Sequence, residues 1–127
     1  MDKSSIKVMV VDDEQVILDL FTQILNSIGI LPICARNGEE ALKIFKKDPP
    51  HLIFSDINMP KMNGLILLKE VKKIDPSSYI VLFTGYEKYH KMIAGLEEKP
   101  DAYLKKPFQV NDIVNIVKNR FPRLNFD

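Results

Sequence analysis

Cysteine is almost absent from this 127-residue chain: Cys34 stands alone, which excludes an internal disulfide and a thiolate metal cluster. Histidine is equally scarce, and His51 and His90 are too isolated in sequence to form a metal site. Long hydrophobic runs are missing. The longest uninterrupted ones, such as Val8–Val11 and Leu65–Leu68, are about a fifth of what a membrane-spanning helix needs. The polar start Met1-Asp2-Lys3-Ser4-Ser5 lacks the apolar stretch of a secretory signal. An excess of one charge is also lacking: 18 basic against 17 acidic residues leave +1, which argues against a dedicated nucleic-acid binder. A reducing cytoplasm fits these absences.

What is present suits one folded domain of common size. The chain is 46% hydrophobic and 28% charged, enough for a core under a charged surface and unlike a disordered composition. Short β-branched runs alternate with longer amphipathic ones, the pattern of βαβ units on a parallel sheet. Strands are expected at Ile6–Val11, Leu31–Ala35, His51–Ser55, Tyr79–Phe83 and Ala102–Leu104. The first helix is expected from Glu14 to Ser27, its stripe formed by Ile17, Phe21, Ile24, Leu25 and Ile28 and its end closed by Gly29. The second starts at an Asn37 cap with Glu40 three residues on, faces inward through Ala41, Leu42 and Phe45, and stops at Asp48-Pro49-Pro50. A third carries Leu65, Leu68 and Val71 inward. Glu87–Leu96 is a weaker helix interrupted by Gly95, and Val110–Arg120 closes the series. Five β/α repeats in this length imply a doubly wound, three-layer α/β/α sandwich with a five-stranded parallel sheet. Cys34 reads as a small core hydrophobe. The pairs Lys46-Lys47 and Lys72-Lys73 read as solvated helix ends.

Right-handed crossovers put every strand's carboxyl end on one edge of such a sheet, where these folds bind ligands. The residues just past the strands are Asp12-Asp13-Glu14, Asp56, Thr84 and Lys105-Lys106-Pro107. Two carboxylates about 6 Å apart repel by roughly 3 kcal/mol at an effective dielectric of about 20, or about two pKa units. A hard divalent cation with oxygen ligands, Mg²⁺, would offset that repulsion. Asp56 could then attack phosphorus to form an aspartyl phosphate, with Lys106 and the Thr84 hydroxyl facing the charged oxygens. Singly, Asp12 and Asp13 could be helix caps, Asp56 a turn residue, Thr84 a strand end and Lys106 a surface charge. Their convergence on one edge favours the chemical reading.

Four ordered segments carry a resemblance. Val8-Met9-Val10-Val11-Asp12-Asp13-Glu14, Asp56-Ile57-Asn58-Met59-Pro60-Lys61-Met62-Asn63-Gly64, Thr84-Gly85 and Tyr103-Leu104-Lys105-Lys106-Pro107-Phe108 closely resemble the response-regulator receiver domain of two-component signalling. The resemblance spans roughly Ile6 to Phe121, and residues 1–127 are expected to form a single receiver domain with its core at about 6–121. It implies the flavodoxin-like strand order 2-1-3-4-5. It also implies that Asp56 is the phosphoacceptor, and that Mg²⁺ is held by Asp13, the Asp56 carboxylate and the Asn58 backbone carbonyl. Asp12 would act through water or as a second acid. Lys106 would contact the phosphoryl group, the Lys106–Pro107 bond would be cis, and Thr84 with Tyr103 would be the switch pair. Two positions depart from the pattern: Gly85 where alanine is more usual, and Lys99-Pro100 where a Gly-Ala pair is usual.

The reaction implied is transfer from a phosphohistidine on a sensor histidine kinase or histidine phosphotransfer protein to Asp56, reset by hydrolysis. The protein would catalyse only its own phosphorylation and dephosphorylation. The first helix exposes Gln15, Val16, Asp19, Leu20 and Gln23 as a kinase-docking face, and output would pass through the fourth helix, fifth strand and fifth helix. Tyr86, Tyr89 and His90 could tune hydrolysis or partner contact. The expected protein is a monomer or weak dimer with no direct nucleic-acid or membrane contact. An alternative is a receiver module excised from a larger transcriptional regulator or hybrid kinase. An aspartate-nucleophile phosphohydrolase is remote, because the position two after the nucleophile is Asn58, which cannot serve as general acid or base. A flavodoxin-like cofactor carrier is disfavoured because Asp12-Asp13-Glu14 would repel a phosphate.

Overall fold

The computed structural model describes residues 5–126; the polar start Met1-Asp2-Lys3-Ser4 and the final Asp127 lie outside the described residues. The elements run β1 (Val8–Val11), α1 (Gln15–Ser27), β2 (Ile33–Ala35), α2 (Gly38–Lys47), β3 (Leu52–Asp56), α3 (Gly64–Ile74), β4 (Ile80–Thr84), α4 (Glu87–Ala94), β5 (Ala102–Lys105) and α5 (Val110–Arg120). The strands form one sheet in the order β2-β1-β3-β4-β5, and each neighbouring pair is parallel.

Strand periodicity divides the core into two layers. Val8, Val10, Leu52, Phe54, Val81 and Phe83 point to the side covered by α1 and α5, where Phe21, Leu25, Ile113 and Val117 meet them. Met9, Val11, Ile53, Ile80 and Leu82 point to the other side, against Ala41 and Phe45 of α2, Leu67 and Val71 of α3, and Ile93 of α4. Strands covered on both faces must be apolar throughout, which is why β1 reads as an unbroken hydrophobic run.

Local signals set the helix ends. The Asn37 and Asn63 side chains accept from the backbone N–H of Glu40 and Ile66, at 2.9 and 3.0 Å, capping α2 and α3. Gly29 takes φ 87° directly after α1, a conformation that costs an L side chain dearly.

Several expectations need correction. Strand β2 starts at Ile33, and Leu31 is 76% exposed. Cys34 is exposed rather than part of the core, because β2 is an edge strand; the Thr22 hydroxyl of α1 lies 3.8 Å from the thiol. Helix α4 ends at Ala94, two residues early, with Gly95 as its cap. The inward stripe of α1 includes Leu18, while Ile17 is only half-buried. Lys72 is not solvated. Its ammonium is buried and donates to the Ser78 carbonyl at 2.6 Å and to Asp101 at 2.9 Å. Beyond α5 the chain folds back, burying Phe126 and half-burying Leu124 against Ile6 and Phe121.

Candidate functional site

The strand order reverses between β1 and β3, so the crevice of the sheet opens at their carboxyl ends. Asp12 follows β1 and Asp56 ends β3. One carboxylate oxygen from each of Asp12, Asp13 and Asp56 lies within 4.8 Å of the others. Asp12 is fully buried and Asp56 nearly so, whereas Asp13 is exposed. Asp12 Oδ1 accepts from the Glu14 backbone N–H at 2.9 Å, which turns the chain into α1. Its Oδ2 is buried without a hydrogen-bond partner.

Burial dominates the electrostatics. It pushes the Asp12 carboxyl up to about 7, with the Asp56 and Asp13 charges adding to the rise and the Glu14 N–H and Lys106 opposing it. Asp56 is pushed up to about 6, again chiefly by burial, against Lys106 and the Ile57 and Asn58 backbone N–H groups. Two acids held this close repel by about 3 kcal/mol at an effective dielectric of about 20.

The opposing groups come from the next strand ends. Thr84 is buried at the end of β4, and its Oγ1 accepts from the Tyr86 backbone N–H at 3.1 Å. The Lys106 N–H donates to the Thr84 carbonyl at 3.0 Å, so the two strand ends are locked together. The Lys106 ammonium stands 5.4 Å from the Phe83 ring centroid, and the Lys106–Pro107 bond is cis. Gly85 has room for a methyl group, since a Cβ there would meet Lys106 side-chain carbons at 3.6 and 3.7 Å. The site tolerates the alanine that usually stands at this position.

Tyr103 sits farther along β5, on the α4 side, with its ring half-buried and its hydroxyl buried without a hydrogen-bond partner. It does not join the carboxylate cluster. Asn58 lies exposed in the β3–α3 loop. Two glycines shape this loop: Gly64, which the sequence already places with Pro60 in the loop after Asp56, and Gly38, to which sequence reasoning gave no role beyond following the Asn37 cap. A Cβ on Gly64 would lie 2.3 Å from the Asp56 carbonyl oxygen, and one on Gly38 would lie 2.4 Å from the Met62 carbonyl. Only glycine lets α3 begin against the Asp56 backbone and α2 begin against the loop. Lys61 holds φ 65° between them, an uncommon conformation for a residue with a side chain. The Pro60…Gly64 spacing was the available signal.

A hard, oxygen-lined cluster with one carboxylate oxygen unsatisfied suits a hard divalent cation. The Lys106 charge opposes the rise of both Asp12 and Asp56, and Asp56 is the acid that ends a strand.

A family model described as response regulator receiver domain matches residues 8–118. The chain belongs to the response-regulator receiver family. Receiver domains are phosphoacceptor signalling switches of two-component systems. Among curated relatives, sporulation initiation phosphotransferase F of Bacillus subtilis is 31% identical over 91% of this chain and 94% of its own length. A probable transcriptional regulator, ycf27, of Porphyra purpurea is 37% identical over 89% of this chain but 46% of its own length. The chain spans about half the length of the first curated relatives it matches. Among solved structures, a CheY-like receiver domain protein from Methanospirillum hungatei JF-1 aligns with TM-score 0.85 at 29% identity, covering 94% of this chain and 96% of that one. The response regulator TrrA of Thermotoga maritima, solved in complex with Mg(2+)-BeF, aligns with TM-score 0.82 at 33% identity, covering 91% and 98%. No helix among the described residues is long and apolar enough to cross a membrane.

Proposed function

We propose that Asp56 is the phosphoacceptor of this receiver and that Asp12, Asp13, Asp56 and the Asn58 backbone carbonyl hold Mg²⁺ beside it. The observation that carries this reading is the convergence of three carboxylate oxygens within 4.8 Å, on the edge that also presents Thr84 and Lys106. A bound Mg²⁺ would neutralise acid repulsion and the negative charge of the transferring group.

The Asp56 carboxylate oxygen attacks phosphorus of a phosphohistidine on a sensor histidine kinase or phosphotransfer protein. The P–O bond forms as the P–N bond breaks, its electron pair leaving with the partner's imidazole. The Lys106 ammonium and the Thr84 hydroxyl then bind phosphoryl oxygens. To do so Thr84 rotates away from the Tyr86 N–H, and Tyr103 responds behind it. Water attacks the aspartyl phosphate to restore the carboxylate, so the chemistry is confined to the protein's own modification. A population shift from about 1:99 to 99:1 takes roughly 5.5 kcal/mol, within reach of several charge-assisted hydrogen bonds.

The docking face for the phosphodonor is the outer side of α1, where Val16 is 74% and Leu20 39% exposed. Charge reversal at Asp19 should slow transfer from the cognate kinase while labelling by acetyl phosphate stays unchanged; equal loss with both donors rejects the face. Output passes through α4, β5 and α5. Residues 1–127 act as one receiver unit in the cytoplasm, as a monomer or weak dimer without direct nucleic-acid contact. Because the first curated relatives are about twice as long, a module of a larger regulator is the second reading.

Acetyl phosphate with Mg²⁺, followed by intact mass, tests the acceptor. Wild type should gain one phosphoryl group and Asp56→Asn none; equal gain in both would remove Asp56 from the role.

A further inference from the structure

Outside the carboxylate crevice, two buried side-chain atoms with no hydrogen-bond partner lie on neighbouring rings: the Tyr103 hydroxyl and His90 Nε2. The ring centroids are 5.5 Å apart and the planes are inclined at 70°. One ring stands on α4 and the other on β5, where Tyr103 sits in register with Leu82 of the buried β4. Buried polar atoms are rarely left unbonded, because each gives up its bond to water without replacement. These two are chemically complementary. A tyrosine hydroxyl offers one donor and two lone pairs, and a neutral imidazole nitrogen is either a bare acceptor or an N–H donor, so either tautomer can pair. The terminal torsion of an imidazole is broad, so a modest rotation of the ring costs little.

We propose that His90 is the hydrogen-bond partner of the Tyr103 hydroxyl and couples the position of the switch aromatic to helix α4. The inference rests on the reading of Thr84 and Tyr103 as the switch pair. Helix α4 is lightly held. It spans eight residues, Ile93 is its buried residue with Tyr89 packed partly on the same core, and its start has no side-chain cap. A bond from its middle to β5 would therefore weigh on how it sits. When Thr84 turns to the phosphoryl group and Tyr103 follows, the bond to His90 carries that movement into the helix. His90 touches neither the acceptor nor the phosphoryl group; it is a positioning residue.

Nuclear magnetic resonance of the full chain tests this, with and without Mg²⁺ and beryllofluoride as the phosphoryl mimic. In Tyr103→Phe the His90 ring-nitrogen resonance should shift from its wild-type value; an unchanged resonance would overturn the pairing. On adding Mg²⁺ and beryllofluoride, amides of Asp13 and Asn58 should respond in every variant, while those of α4 should lose most of their response in both Tyr103→Phe and His90→Leu. Loss in Tyr103→Phe with a full α4 response in His90→Leu would overturn the role of His90 and leave the switch reading standing. A full α4 response in Tyr103→Phe would overturn the switch reading itself. His90→Gln, which keeps a donor and an acceptor, should retain the response and replaces His90→Leu if that variant does not fold. Loss in His90→Gln as well would reduce His90 to packing and overturn the bond.

Discussion

The two edges of the sheet treat charge in opposite ways. At the amino edge, charges are matched. The Lys72 ammonium lies between the Ser78 carbonyl and Asp101, and the same Asp101 oxygen accepts from the Ile80 N–H at 2.9 Å. Lys7 pairs with Asp48 at 2.7 Å, and its backbone N–H donates to His51. At the carboxyl edge three acids crowd together, Asp12 keeps one oxygen unbonded, and burial raises Asp12 and Asp56 well above ordinary carboxylates. At one edge the named charges are satisfied by the fold itself. At the other, acids are left in conflict, which is the condition for a switch: strain that binding or modification relieves can be converted into movement.

Breaking the satisfied edge should have the largest effect on stability. Lys72→Met takes the ammonium away from the Ser78 carbonyl and leaves Asp101 with the Ile80 N–H but no counter-charge, and should cost about 3 kcal/mol in urea unfolding, with acetyl phosphate labelling of Asp56 unchanged. Loss of labelling without loss of stability would contradict the division between the edges.

The strained edge should respond to pH in the opposite sense to a matched one. Asp12 and Asp56 titrate near 7 and 6 in the folded chain, against 3.8 for an ordinary aspartate. The folded protein therefore binds more protons than the unfolded one between about pH 4 and 7, and metal-free stability should fall as pH rises through that window, by on the order of 4 kcal/mol between pH 5 and 8. Asp12→Asn should flatten most of that slope in thermal melts recorded across the range. A slope unchanged by the substitution would mean that Asp12 is not strained.

The smallest effect sharpens the boundary of the amino edge. Phe126 is buried in the same hydrophobic cluster as Ile6 and Phe121, so Phe126→Ala should cost about 1.5 kcal/mol, measured by the same unfolding assay. No change would mean that residues 122–126 are an unpacked tail.

Much of the functional edge was legible in advance. Strand periodicity gives way to turn residues at Asp12, Asp56, Thr84 and Lys106, and a parallel sheet forces all such positions onto one edge, so chemistry and topology agree. Lys72 was misread because it follows a helix-end pattern in which lysines are normally solvated; its burial depends on β4 and β5 arriving from 29 residues away at Asp101. Cys34 was misread because alternation marks a strand face but says nothing of whether a helix extends far enough to cover it. The close approaches at Gly64 and Gly38 belong to the same class, since a missing Cβ becomes meaningful only when another backbone lies against it.

Local patterning alone determined the elements and the acids of this protein, because hydrophobic periodicity, asparagine caps and strand-end residues act within a few positions of one another. Tertiary packing decided which charges would be matched and which left in conflict, and which polar atoms, such as His90 Nε2 and the Tyr103 hydroxyl, would be buried side by side. Those outcomes depend on distances between segments far apart in the chain, and such distances exist only once the sheet has formed.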